Sequence, residues 1–129
     1  MQLKKNREKI TQGAKLIPTF SVGWNPSPRI DRPTPWMRKS DGSSAYANVC
    51  YAPRASCDEL YAGAKEFVSF IKSEARNSFI GHILTFAWNE FEEGGYFCPT
   101  YTSDGKVDTA RVDVFAKIAK MFHSELIEI

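Results

Sequence analysis

The sequence predicts an α/β fold: two strand–helix units preceded by one helix. Three observations predict it. Apolar runs of strand length occupy residues 16–22 and 79–87, amphipathic stretches of helical length separate and follow them, and a capping box opens the central helix. A chain of 129 residues is the length of one domain. Hydrophobic residues at 43% suffice for a core, and with charged residues at 25% they exclude a wholly disordered chain.

The first element runs from Leu3 to about Ala14, where Leu3, Ile10 and Ala14 recur at helical spacing in a charged stretch that ends near Gly13. Leu16-Ile17-Pro18-Thr19-Phe20-Ser21-Val22 then reads as a short buried strand, with Pro18 a reservation because proline donates nothing to a ladder. From Gly23 to Arg54 the five prolines Pro26, Pro28, Pro33, Pro35 and Pro53 argue for a long loop without regular helix. Trp24, Trp36, Tyr46 and Tyr51 lie in it, as a surface that closes over something or as side chains packed on the scaffold.

Ser56-Cys57-Asp58-Glu59 is a capping box in which the Ser56 hydroxyl accepts from the Glu59 amide and Glu59 reaches back. Leu60, Ala64, Phe67, Val68 and Ile71 follow as one apolar face, and the helix is expected to end near Asn77. Residues 79–87 are the second strand, apolar enough to be buried on both faces. Asp108 is positioned to cap a last helix whose stripe is Val114, Phe115, Ile118 and Phe122.

Strands alternating with helices imply parallel pairing through crossovers. Two such strands leave two open edges and cannot bury both faces, so the sheet calls for strands outside this sequence or for self-association.

The remaining composition narrows the function classes. Net charge is +2, and the basic cluster Lys4, Lys5, Arg7 and Lys9 is interrupted by Glu8, so no nucleic-acid footprint is expected. Cys50, Cys57 and Cys98 are odd in number and unpaired in spacing, and His82 and His123 stand apart. Neither a disulfide framework, a metal site nor a cofactor site is therefore indicated. No run approaches a membrane span, and the N-terminal residues lack the apolar core of a secretory signal.

Chemistry concentrates where the second strand ends. Trp88-Asn89-Glu90-Phe91-Glu92-Glu93-Gly94 puts acids at the C-terminal mouth of a parallel strand, where α/β proteins keep their sites. Glycosidic cleavage needs one carboxyl group to protonate the leaving oxygen and another to act as base or nucleophile. Glu90 and Glu93 are the candidates, Glu92 reads as solvated, and the tryptophans offer flat faces to sugar rings.

Phe86-Ala87-Trp88-Asn89-Glu90-Phe91-Glu92-Glu93-Gly94-Gly95-Tyr96 resembles the Trp-Asn-Glu-x-x-Glu-Gly signature of the endo-α-mannosidase family, glycoside hydrolase family 99. It also resembles related polysaccharide-processing proteins, some of them labelled glycosyltransferases. Gly23-Trp24-Asn25-Pro26-Ser27-Pro28-Arg29 is similar to the Gly-Trp-Asp-x-x-Pro-Arg segment of the same proteins. The likeness spans residues 15–122.

The resemblance implies that this chain is the C-terminal two β/α units of an eight-stranded TIM-type barrel of typically about 250 residues. The chain would then be part of a longer catalytic domain, in a protein that could be secreted or periplasmic. It implies Glu90 as the base on the sugar 2-hydroxyl, Glu93 as general acid and then base, and Trp24, Asn25, Arg29, Trp88, Asn89 and Tyr96 as the sugar lining. It implies a carbohydrate substrate and no cofactor. Departures from the pattern are Asn25 for the usual aspartate, Phe91 where tryptophan is common, and Cys98 before Pro99 where an acid is frequent. A non-catalytic glycan-binding module and a glycosyltransferase-associated relative are the alternatives.

Overall fold

The computed structural model describes residues 2–48 and 54–127, with side chains from Arg7 onward, so Cys50, Tyr51 and Pro53 lie outside the described residues. Helix α1 (Gln2–Thr11) ends at Gly13, which takes a positive φ of 77°. Strand β1 (Thr19–Ser21) pairs in parallel with β2 (Leu84–Phe86) in the register Thr19–Leu84, Phe20–Thr85 and Ser21–Phe86. A bridge between Leu16 and Phe79, and the Val22 amide donating to the Phe86 carbonyl at 2.9 Å, extend the contact at both ends.

Helix α3 (Cys57–Phe70) starts on the capping box. The Glu59 amide donates to the Ser56 hydroxyl, and the Ser56 amide donates to the Glu59 carboxylate at 2.8 Å. The helix continues through one wider π-type turn, Ile71–Ala75. Helix α4 (Ala110–Phe122) begins at Thr109, whose side chain makes no cap bond. Instead Asp108 accepts from the Ala110 amide at 2.9 Å.

The apolar stripes of α3 and α4 meet over β1. Phe20, Phe67 and Phe122, one from each element, stand with ring centroids 5.6 Å apart in every pair. Val22, Leu60, Ala64, Val68, Ile71, Val114 and Ile118 fill the space around them, and Phe115 packs against the edge of this core.

Two expectations are corrected. The second strand is not buried on both faces: pairing covers only residues 84–86, and Leu84 is 58% exposed. Along β1 the side chains alternate, with Leu16, Pro18, Phe20 and Val22 buried and Ile17 and Ser21 exposed. Paired residues share a face, so Ile17, Thr19, Ser21, Leu84 and Phe86 all point away from the helices. Among the described residues no third strand joins the β1–β2 pair.

The long proline-rich segment also carries regular turns, a helix α2 (Ser27–Asp31) and a 3₁₀ turn (Pro35–Met37). Pro26 caps α2 and Pro28 sits in its first turn, where the missing amide would have been unsatisfied in any case. The same residue type that forbids a helix interior here starts one.

Candidate active site

Beyond β2 the chain turns sharply. The Phe86–Ala87 peptide is cis, and the Trp88 carbonyl accepts from the amides of both Phe97 (3.0 Å) and Cys98 (2.9 Å). Between these anchors lies a tight hairpin. Strand β3 (Asn89–Glu90) pairs antiparallel with β4 (Gly95–Tyr96), joined by a 3₁₀ turn (Phe91–Glu93) that closes at Gly94 with φ 64°. A left-handed residue is needed there, and there is no room for a side chain. A Cβ on Gly94 would lie 3.0 Å from Cβ of Asn25, and one on Gly95 would lie 3.0 Å from the Phe86 ring. The two glycines let this hairpin touch the segment that leaves β1.

That touch assembles the site. The Asn25 amide donates to the Glu93 carbonyl at 2.7 Å, and the Asn25 carboxamide oxygen accepts from the Ser27 amide at 3.0 Å, setting the start of α2. Helix α2 then aims Arg29 back at the hairpin. Its Nη1 donates to Glu93 Oε1, its Nε to Glu92 Oε2 at 3.1 Å, and its Nη2 lies 3.9 Å from Glu90 Oε2. The indole Nε1–H of Trp24 donates to the other Glu93 oxygen at 3.1 Å.

One guanidinium thus gathers three carboxylates, and Glu93 is held at both oxygens. The Glu93 side chain is 16% exposed and that of Glu90 44%, so the first is fixed in the wall and the second is open. Partial burial works against the Arg29 charge. Its hydrogen bonds with Glu92 and Tyr46 and the charges of Glu93 and Glu92 outweigh that effect and raise its pKa.

Trp24, Asn25, Arg29, Glu90 and Glu93 are therefore brought together. Trp88 is half exposed, edge-on to Phe115 with centroids 6.5 Å apart, and the Asn89 side chain is exposed. Tyr96 lies beneath the hairpin. It is 8% exposed, its ring packs on Phe91 at 4.8 Å, and the guanidinium groups of Arg54 and Arg111 lie over it at 5.3 and 4.9 Å. Its hydroxyl accepts from Arg54, and its carbonyl accepts from Arg111 at 2.7 Å.

Glu92 is exposed at 61% but is not simply solvated, because Arg29 holds it. Sequence reasoning missed Glu92 as a partner and missed Arg54 and Arg111 as supports. Only the tertiary approach of segments distant in sequence creates these contacts.

Among the described residues no group of three His, Cys, Asp or Glu could hold a metal ion, and no helix is long and apolar enough to cross a membrane. Searches of protein-family models, curated proteins and solved structures find no match to this chain.

Proposed function

We propose that this chain is the C-terminal segment of a glycoside hydrolase, in which Glu90 and Glu93 form the carboxylate pair that cleaves a glycosidic bond. The observation that carries the proposal is the shared engagement of both acids by Arg29, with the Trp24 indole hydrogen-bonded to Glu93. Carboxylates gathered on one rim, next to aromatic side chains, are the equipment that proton transfer to a leaving sugar oxygen and attack at the sugar require. The motif resemblance supports the same pair.

The open sheet face supports the idea of a segment. Ile17 and Leu84 expose apolar surface on the side of the β1–β2 pair away from the helices, where further strands would pack. The chain exposes 8608 Å², against about 6,900 Å² for a self-contained protein of its 14.6 kDa mass.

A second reading is a glycan-binding module in which the acids only accept hydroxyl protons. The observation in its favour is that both oxygens of Glu93 are already engaged by Arg29 and Trp24. Glu90→Gln and Glu93→Gln separate the two in the protein that carries this segment. Loss of turnover with oligosaccharide affinity kept, by calorimetric titration, supports the hydrolase. Unchanged function in both variants, with loss on Trp24→Ala, supports the binding module. Consumption of a nucleotide sugar without release of reducing ends would assign the transferase alternative.

A further inference from the structure

Trp36 is one of the two most exposed large apolar side chains described, at 79%. A lone exposed indole on a loose loop would mean little. This loop is braced. The Met37 amide donates to Thr34 at 2.9 Å, the Ala45 amide returns to the Met37 carbonyl at 2.9 Å, and Lys39 and Ser43 close a tight turn at 2.8 Å. Asp41 accepts from both the amide (2.9 Å) and the hydroxyl (2.6 Å) of Ser43 inside that turn. Pro33 and Pro35 fix φ on the near side of the indole.

The brace is bolted to the carboxylate site. Ser44, only 3% exposed, donates its hydroxyl to the Arg29 carbonyl at 2.9 Å and accepts from the Tyr46 amide at 3.2 Å. Tyr46 in turn packs edge-on against Trp24 with centroids 5.7 Å apart. The residue that gathers Glu90, Glu92 and Glu93 is thus also the anchor of the loop that holds up Trp36.

We infer that Trp36 is a glycan-binding platform, a stacking surface for a sugar unit of the same chain that the carboxylate pair engages. This rests on the glycan reading of the site and adds a contact outside the carboxylate cluster. An indole carried on a braced backbone costs less ordering on binding than one on a loose loop, and it offers a flat apolar face with a polar N–H edge. The apolar C–H face of a pyranose matches such a surface. Arg32, Arg38 and Lys39 flank the indole in sequence, so an anionic polymer is the competing occupant that the DNA arm of the test addresses.

The test is affinity electrophoresis of the 129-residue chain in native gels cast with α-mannan, dextran or β-glucan. The wild type is expected to be retarded by at least one of them. Trp36→Ala should weaken that interaction roughly tenfold, and Trp36→Phe should keep most of it. Unchanged circular dichroism is expected for both variants at so exposed a position. Equal retardation of wild type and Trp36→Ala overturns the role of Trp36 and leaves the carboxylate proposal standing. Absence of retardation in all three gels overturns the platform role of Trp36 and leaves the carboxylate proposal to its own test, turnover by the Glu90→Gln and Glu93→Gln variants. Release of the bound chain by single-stranded DNA would overturn the glycan assignment of the platform.

Discussion

Arg29 holds Glu93 through Nη1 and Glu92 through Nε, a forked geometry that a lysine ammonium does not reproduce. On the proposed reading, Arg29→Ala is expected to lower kcat/KM on the order of a hundredfold by misplacing both acids, with little rescue by Arg29→Lys. Steady-state kinetics checks this, and a Lys variant at wild-type level would show that the fork is unimportant. Gly94→Ala is expected to cost about 1–2 kcal/mol for its left-handed conformation, and more for the clash with Asn25. Urea denaturation measures it. At this scale the fold brings Trp24, Asn25, Arg29, Glu90 and Glu93 together, whereas Trp88 and Asn89 lie exposed and Tyr96 is buried. Sequence reasoning read Glu92 as solvated and missed its partner, which lies 63 positions away in sequence. It was silent on the support of Tyr96, where Arg54, Arg111 of α4 and Phe91 converge from segments far apart in sequence or across the hairpin.

The helices were legible because their signals are local. Ser56 and Glu59 lie three positions apart, and the spacing of Leu60, Ala64, Phe67 and Val68 needs no knowledge of the partner surface. Ser56→Ala is expected to lower stability by about 1 kcal/mol, read from the midpoint of thermal unfolding. The Ser56 amide and then its hydroxyl hold the Glu59 pKa below its ordinary value of 4.5. The folded state therefore binds this proton less readily than the unfolded chain. Glu59's contribution is present above the ordinary value and lost as pH falls through the lowered one. Ser56→Ala keeps the amide bond and removes the hydroxyl bond, so the stability difference from wild type should narrow only in part on acidification over that window. A gap unchanged down to pH 2 would count against the hydroxyl–carboxylate bond. Ile118→Ala, at 0% exposure between the helices, should cost about 2–5 kcal/mol. Strand extent was less legible. A run of apolar residues signals burial, but burial of residues 79–87 on both faces needs neighbours that the described chain does not supply.

For the molecule as a whole, the helices cover one face of a two-stranded parallel sheet and leave the other to solvent. Leu84→Lys should therefore change the stability of the isolated chain by no more than about 0.5 kcal/mol. In a protein with the remaining strands the same change should be strongly destabilising. A large loss in the isolated chain would mean that Leu84 is already packed, for instance against a second copy. The most direct measurement of the central claim is release of reducing ends from polysaccharide by the complete protein carrying this segment, with Glu93→Gln beside wild type. The expected result is steady release that falls on the order of a thousandfold in the variant. Release that continues unchanged in Glu93→Gln would contradict the assignment.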